Sequence, residues 1–214
     1  MQNVNGYYQA PTAPKAPKAP AAPRRFEAAS VSLGTDTYRG GAAAIKVDNV
    51  APALPGFAAG YHGYDGIKGA KWLYTKATRS RSYSKKVNAG SIASNTIMSN
   101  VMGAIKHSTL FGAAISLGLN AYGVFKGQLE VPEAGANVAS DTAAAAVGGA
   151  AGCAASMVGT WALIGPMGTG LGLNMIALGL GLAGYLAGEH LFRQSDLHRV
   201  IREKTQTALA EVAG

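Results

Sequence analysis

Residues 142–188 form a run of 47 residues without one charged side chain, bounded by Asp141 and Glu189. As a continuous helix this run would extend about 70 Å, at 1.5 Å per residue. One crossing of a bilayer's hydrocarbon core takes roughly 20 residues. The run is therefore too long for one span and suited to two. Its middle carries Gly165-Pro166-Met167-Gly168-Thr169-Gly170, where Pro166 lacks an amide hydrogen and crowds the preceding turn. The pattern predicts a helical hairpin with arms at 142–164 and 168–188. A second uncharged stretch, 108–125, lies between Lys106 and Lys126. It is read as a further membrane-associated helix, less firmly a span because it is short and carries Ser108, Ser116 and Asn120.

Composition supports this reading. Charged residues make up 14% of the chain, against roughly 25% in an ordinary soluble domain. Apolar residues reach 48%, but much of that is alanine, with 29 glycines, five Phe and two Trp. That argues against an enzyme core built from large side chains. It also argues against disorder throughout, which needs low hydrophobicity and high charge.

Four regions follow. Residues 1–30 hold an Ala-Pro-Lys repeat, expected to be a disordered, semi-rigid tail because proline favours extended polyproline II. Residues 31–87 show neither a helical nor a strand period and read as irregular, with short strand or helix fragments near 42–47 and 67–76. Residues 88–190 hold the small-residue-rich helices. Residues 191–214 place Leu197, Val200, Ile201, Ala208 and Val212 near one helical face, the pattern of an amphipathic helix.

Charge is lopsided. Residues 1–107 carry a net +10 and residues 108–214 a net −2. Within the first half, Lys68, Lys71, Lys76, Arg79, Arg81, Lys85 and Lys86 are interleaved with Trp72, Tyr74 and Tyr83. Aromatics among cations can stack on bases while neutralising phosphates. They can also sit at a bilayer interface, rings at headgroup level and cations on anionic lipid. The apolar run downstream favours the second, so membrane lipids are the expected partner, with a protein partner at the N-terminal region as an addition and nucleic acid disfavoured. A two-span hairpin puts the basic half and the basic tail (Arg193, Arg199, Arg202, Lys204) on one side. The positive-inside bias then predicts cytoplasmic N- and C-termini. The N-terminus lacks the pattern of a secretory signal, so insertion is expected to use internal segments.

The most informative spacing is of small residues four apart. Ala144, Gly148, Gly152, Ser156 and Thr160 form one stripe, and Gly179, Ala183 and Ala187 another, with Gly184 and Gly188 beside it. Ala104, Ser108, Gly112, Ser116 and Asn120 form a third. Residues four apart share a helix face, and small ones let two backbones approach closely. In lipid that close packing, rather than a hydrophobic drive, holds helices together. The stripes predict tight packing within the chain or between copies, and a homo-oligomer is expected.

With Gly148–Gly152 and Gly184–Gly188, residues 142–188 resemble glycine-zipper membrane segments. Such hairpins occur in channel-like proteins, in membrane-entering regions of secreted bacterial toxins and effectors, and in phage ejection proteins. The resemblance implies membrane insertion and oligomerisation, not a reaction.

No catalytic, cofactor-binding or metal-binding residues are expected. Gly179-Leu-Gly-Leu-Ala-Gly184 matches a dinucleotide-binding spacing, but only 30 residues follow it, too few for the rest of such a fold. His62, His107, His190 and His198 show no metal-ligand spacing. A lone cysteine, Cys153, reads as a small packing residue.

The expected fold is mainly α: a Gly/Ala-rich transmembrane hairpin with a disordered Pro/Ala/Lys N-terminal tail and a C-terminal amphipathic helix. The expected function is a non-enzymatic integral membrane protein whose hairpin anchors and self-associates while the basic region contacts anionic lipid or a partner. A secreted or delivered membrane-inserting protein forming a pore or conduit is the alternative, and a basic nucleic-acid-binding protein the second alternative.

Overall fold

A computed structural model describes residues 53–213. They form six helices: α1 (Ala53–Thr78), α2 (Tyr83–Val87), α3 (Ala89–Phe125), α4 (Val131–Met167), α5 (Leu171–Arg193) and α6 (Asp196–Ala213). No strand occurs among the described residues, so the mainly α expectation is met. The tail at 1–30 and the fragment at 42–47 lie outside the described residues.

The hairpin is present as α4 and α5. Its turn falls where the glycine cluster placed it, and Gly168 takes φ +67°, a left-handed conformation that glycine enters without steric cost. Pro166 is tolerated because it lies in the last turn of α4, one residue before the helix ends. The helices run further than the uncharged run. α4 begins at Val131, so residues 131–141 ahead of the uncharged run are helical too, with Pro132 in the first turn where its missing amide costs nothing. The α3–α4 connection is correspondingly tight. Gly127 takes φ +65°, the Gln128 amide donates to the Gly123 carbonyl at 2.9 Å, and the Gly127 amide donates to Val124 at 2.9 Å. These two bonds close α3 as a Schellman cap.

Residues 53–78 depart from the sequence expectation. The region read as irregular contains a continuous 26-residue helix. Gly56, Gly60, Gly63, Gly66 and Gly69 lower helix propensity by about 1 kcal/mol each relative to alanine and blur the apolar period. Tertiary packing reverses that bias. The glycines recur every three or four residues and turn gradually around the helix, so that Gly56 and Gly60 face α5, Gly63 faces α4 and Gly66 and Gly69 face α3, where those helices press close.

The result is an up-down-up-down bundle of α1, α3, α4 and α5. α4 packs against α1, α3, α5 and α6, whereas α3 and α5 lie on opposite sides of it and do not touch. One end of the bundle holds the α4–α5 turn and the C-terminal end of α1: the Tyr64 hydroxyl donates to the Thr169 carbonyl at 2.8 Å. The other end holds the start of α4, the end of α5 and α6, which packs along the first turns of α4.

Candidate functional site at the helix interfaces

The α4 stripe is buried along its whole length, at Ala144, Gly148, Gly152, Ser156 and Thr160. Each glycine there faces another helix with no room for a methyl group. A Cβ at Gly152 would lie 2.5 Å from the Gly181 carbonyl oxygen and 2.9 Å from the Ala59 Cβ. One at Gly148 would lie 2.8 Å from the Tyr185 ring. At the neighbouring Gly149 it would lie 2.6 Å from the Ser108 side chain. The α3 stripe is buried at Ala104, Ser108, Ser116 and Asn120, with Gly112 half-buried against Ala145.

The small polar members of the stripes add specific contacts with α1. The Ser108 hydroxyl donates to the Pro55 carbonyl at 3.1 Å, and the Ser156 hydroxyl to the Gly60 carbonyl at 2.7 Å. A hydroxyl donating to a helix carbonyl requires the two backbones to be near one another. Gly60 and Gly181 permit this: a Cβ on Gly181 would collide with the Gly60 backbone, and one on Gly60 would lie 2.7 Å from the Leu178 Cα.

In α5 the packed face is not the anticipated stripe. Gly179, Ala183 and Ala187 are exposed, and a Cβ at Gly179 would meet nothing within 4 Å. The inward residues are Leu173, Ala177, Gly181, Tyr185 and Gly188. Gly184 is half-buried and Gly188 buried, both against α4: their Cβ atoms would lie 2.7 Å from Ala155 and 2.5 Å from Ala151. The inward face thus mixes small residues with Leu173 and Tyr185, and four-residue spacing of small residues alone does not pick it out.

Small side chains dominate the buried set, with Tyr64, Met157, Ile164, Leu173, Tyr185 and Phe192 the larger ones among them, while many large apolar side chains face outward. The bulkiest fully buried residues are Leu173, Thr160, Pro55 and Cys153. Phe111, Leu117, Val158, Trp161, Met175 and Leu191 are exposed, Trp161 to 74%.

A buried polar network closes the end of the bundle away from the turn. Arg193 Nη1 donates to Asp141 Oδ1 at 2.7 Å, and Arg193 Nη2 to Glu189 Oε1 at 2.7 Å. The three side chains are 16%, 13% and 7% exposed. The Ser116 hydroxyl donates to Asp141 Oδ2 at 2.6 Å. Asn120 donates to Ser116 Oγ at 3.0 Å, and Asn137 to Asn120 Oδ1 at 3.0 Å. The network thus ties α3, α4 and α5 together. Beyond it α6 docks through Arg202, 3.5 Å from Glu133. His198 sits against the Phe192 ring with its Nε2 buried and unpartnered. Burial first, and then the Arg193 cation, hold His198 below the usual histidine range.

The predicted cations Lys68, Lys71, Lys76, Arg79, Arg81, Lys85 and Lys86 are all exposed, as is Trp72. The Lys76 ammonium lies 4.7 Å from the Trp72 ring centroid. This basic run surrounds the turn end of the bundle, whereas Arg193, Arg199, Arg202 and Lys204 lie at the opposite end. The expectation of one side for both basic regions was drawn for a two-span hairpin; in the bundle α3 packs along α4 as well, and the basic run covers the C-terminal half of α1 and the connection to α3.

Sequence reading did not anticipate a contact between His62 of α1 and His107 of α3. Their Nε2 and Nδ1 atoms are 2.8 Å apart, and Asn100 Oδ1 lies 3.3 Å from the other nitrogen of His62. The two residues are 45 positions apart, and only the α1–α3 pairing brings them together. No group of three or more metal-ligating side chains occurs among the described residues. Comparison with protein-family models, curated proteins and solved structures finds no match for this chain.

Proposed function

We propose that this chain is a non-enzymatic integral membrane protein. In this reading a small-residue helical bundle is anchored by α3, α4 and α5, and its basic turn end engages anionic lipid headgroups. The observation that carries the reading is the number of large apolar side chains facing outward from a bundle whose closest helix contacts are made by Gly, Ala and Ser. Apolar burial stabilises a soluble fold by about 25 cal/mol per Å², and Gly, Ala and Ser supply little of that area. A bilayer reverses the requirement: large apolar groups face the acyl chains, and small ones let helices approach until van der Waals contact and interhelical hydrogen bonds hold them.

Dimensions support it. α3, α4 and α5 are each long and apolar enough to cross a membrane. Along α4, the distance from Asp141 in the polar network to Trp161 is about 30 Å at 1.5 Å per residue. That equals the thickness of the hydrocarbon core. Trp161, Trp72 and Tyr74 then sit at one interface, as aromatic belts do, and the Arg193 network at the other. The positive-inside bias puts the turn end, with its seven cations, on the cytoplasmic side and α6 on the other.

Self-association belongs to the same proposal, with its location changed. The α4 stripe is taken up inside the chain, which leaves the outward α5 stripe of Gly179, Ala183 and Ala187 for a second copy. Cross-linking in vesicles tests this: Gly179→Leu lowers the dimer fraction while the bundle remains folded. Retention of the native protein in the membrane pellet after an alkaline carbonate wash is the test of the whole reading. Release into the supernatant would overturn it.

A further inference from the structure

A crevice of about 510 Å³ lies between α1, α3 and α4 near the turn end. Its walls are Ile67 and Ala70 from α1, Ala93 and Ile97 from α3, and Ile164 from α4. It exists because alanines stand where larger side chains would close the seam. Its rim carries Lys71, Tyr74 and Trp161. The size falls within the range of small-molecule sites, and the apolar walls with a few polar groups at the mouth match their usual lining.

We infer that this crevice binds one anionic phospholipid, with an acyl chain between the helices and the phosphate at Lys71. The inference rests on the membrane reading above and specifies its lipid. Two features select this occupant. The walls are apolar, so a free inorganic anion would leave them uncovered. The mouth is cationic: residues 68–86 hold seven Lys and Arg and no Asp or Glu, and Lys71 has no carboxylate partner among the described residues. Lys68 and Lys76 lie over the Tyr64 and Trp72 rings, while Lys71 lines the crevice itself. A zwitterionic headgroup would offset that charge with its own cation. Trp161 stands at the depth where headgroup meets acyl chain, so the occupant's carbonyl region passes beside its ring.

The test uses the full chain with Trp72→Phe, which leaves Trp161 as the single tryptophan, reconstituted in phosphatidylcholine vesicles. Chain-brominated phosphatidylglycerol or chain-brominated phosphatidylcholine is titrated in and Trp161 quenching recorded. Half-maximal quenching is expected at about fivefold lower mole fraction for the anionic lipid, the factor for one lysine near an anionic headgroup. Lys71→Gln should abolish that preference and Lys71→Arg keep it. Ala93→Leu, which fills the crevice, should weaken quenching by the anionic lipid, and Lys126→Gln at the far end should change nothing. Equal half-points for the two lipids, or a preference that survives Lys71→Gln, overturns the inference and leaves the membrane reading standing. Loss of the preference on adding inorganic phosphate would mark a simple anion site and also overturns it. Absence of quenching by either lipid, with release in the carbonate wash, overturns both.

Discussion

At single residues the bundle is sensitive to one methyl group, and the sensitivity differs between adjacent turns of the same helix. Gly181 has no room for a Cβ because the Gly60 backbone occupies that space, whereas Gly179 faces open space. Replacing Gly181 by leucine must push α1 away from α5 and lose the Ser156–Gly60 hydrogen bond. A cost of about 3 kcal/mol or more is expected, the upper range for overpacking a tight core. Thermal unfolding in detergent followed by circular dichroism measures it, with Gly179→Leu within about 0.5 kcal/mol of the parent as the control. Four-residue spacing singled out Gly179, with Ala183 and Ala187, and not Gly181, whose neighbour four residues on is Tyr185. The local sequence could not correct this, because each glycine lies in an uninterrupted Gly/Leu alternation and rotating α5 by half a turn exchanges them.

At the level of elements, two couplings hold the far end together. Arg193 lies between Asp141 and Glu189, so Arg193→Met leaves two largely buried carboxylates without their cation. Destabilisation of about 3–5 kcal/mol is expected, as for other broken buried pairs. The further changes Asp141→Asn and Glu189→Gln should recover most of it, and chemical unfolding of the single and combined variants checks this. The docking of α6 is the second coupling. His198 faces Arg193 and Asp141 from the bundle and Arg202 from its own helix, and its affinity for protons in the docked state is depressed. The undocked helix therefore binds more protons below the reference value near 6.5. Docking strength is full above that value and falls as pH drops through and below it. The protection factors of residues 196–213, taken relative to the intrinsic exchange rate at each pH, should fall between about pH 7 and pH 5, and His198→Leu should flatten the dependence. α6 was legible as an amphipathic helix, but its seat on α4 was not, since that needs the position of a helix 60 residues earlier.

For the whole molecule, the consequence is which side of a membrane each end meets. Single cysteines at Ser80→Cys and Gln206→Cys, in a Cys153→Ser background, sit at opposite ends of the bundle. In sealed cells a membrane-impermeant maleimide should label Gln206→Cys from outside, and Ser80→Cys only after permeabilisation. Labelling of both from one side would contradict anchoring by the three proposed spans α3, α4 and α5. α1 carries Asp65, Lys68, Lys71 and Lys76 and is not an uncharged run, so its packing against α3, α4 and α5 was not legible from uncharged length.

Local chemistry alone determined that this chain is helical, where the hairpin turns, and that α4 presents a stripe of small residues to a neighbour. Uncharged length, a Gly-Pro break and four-residue spacing act over one or two turns and are written in adjacent residues. The tertiary structure decided the rest: that α1 is a helix at all, which α5 face turns inward, and which basic region lies at which end. Those outcomes depend on backbones meeting within a few ångströms across more than a hundred residues of chain. Glycine, the residue that permits the meeting, has no side chain to announce its direction.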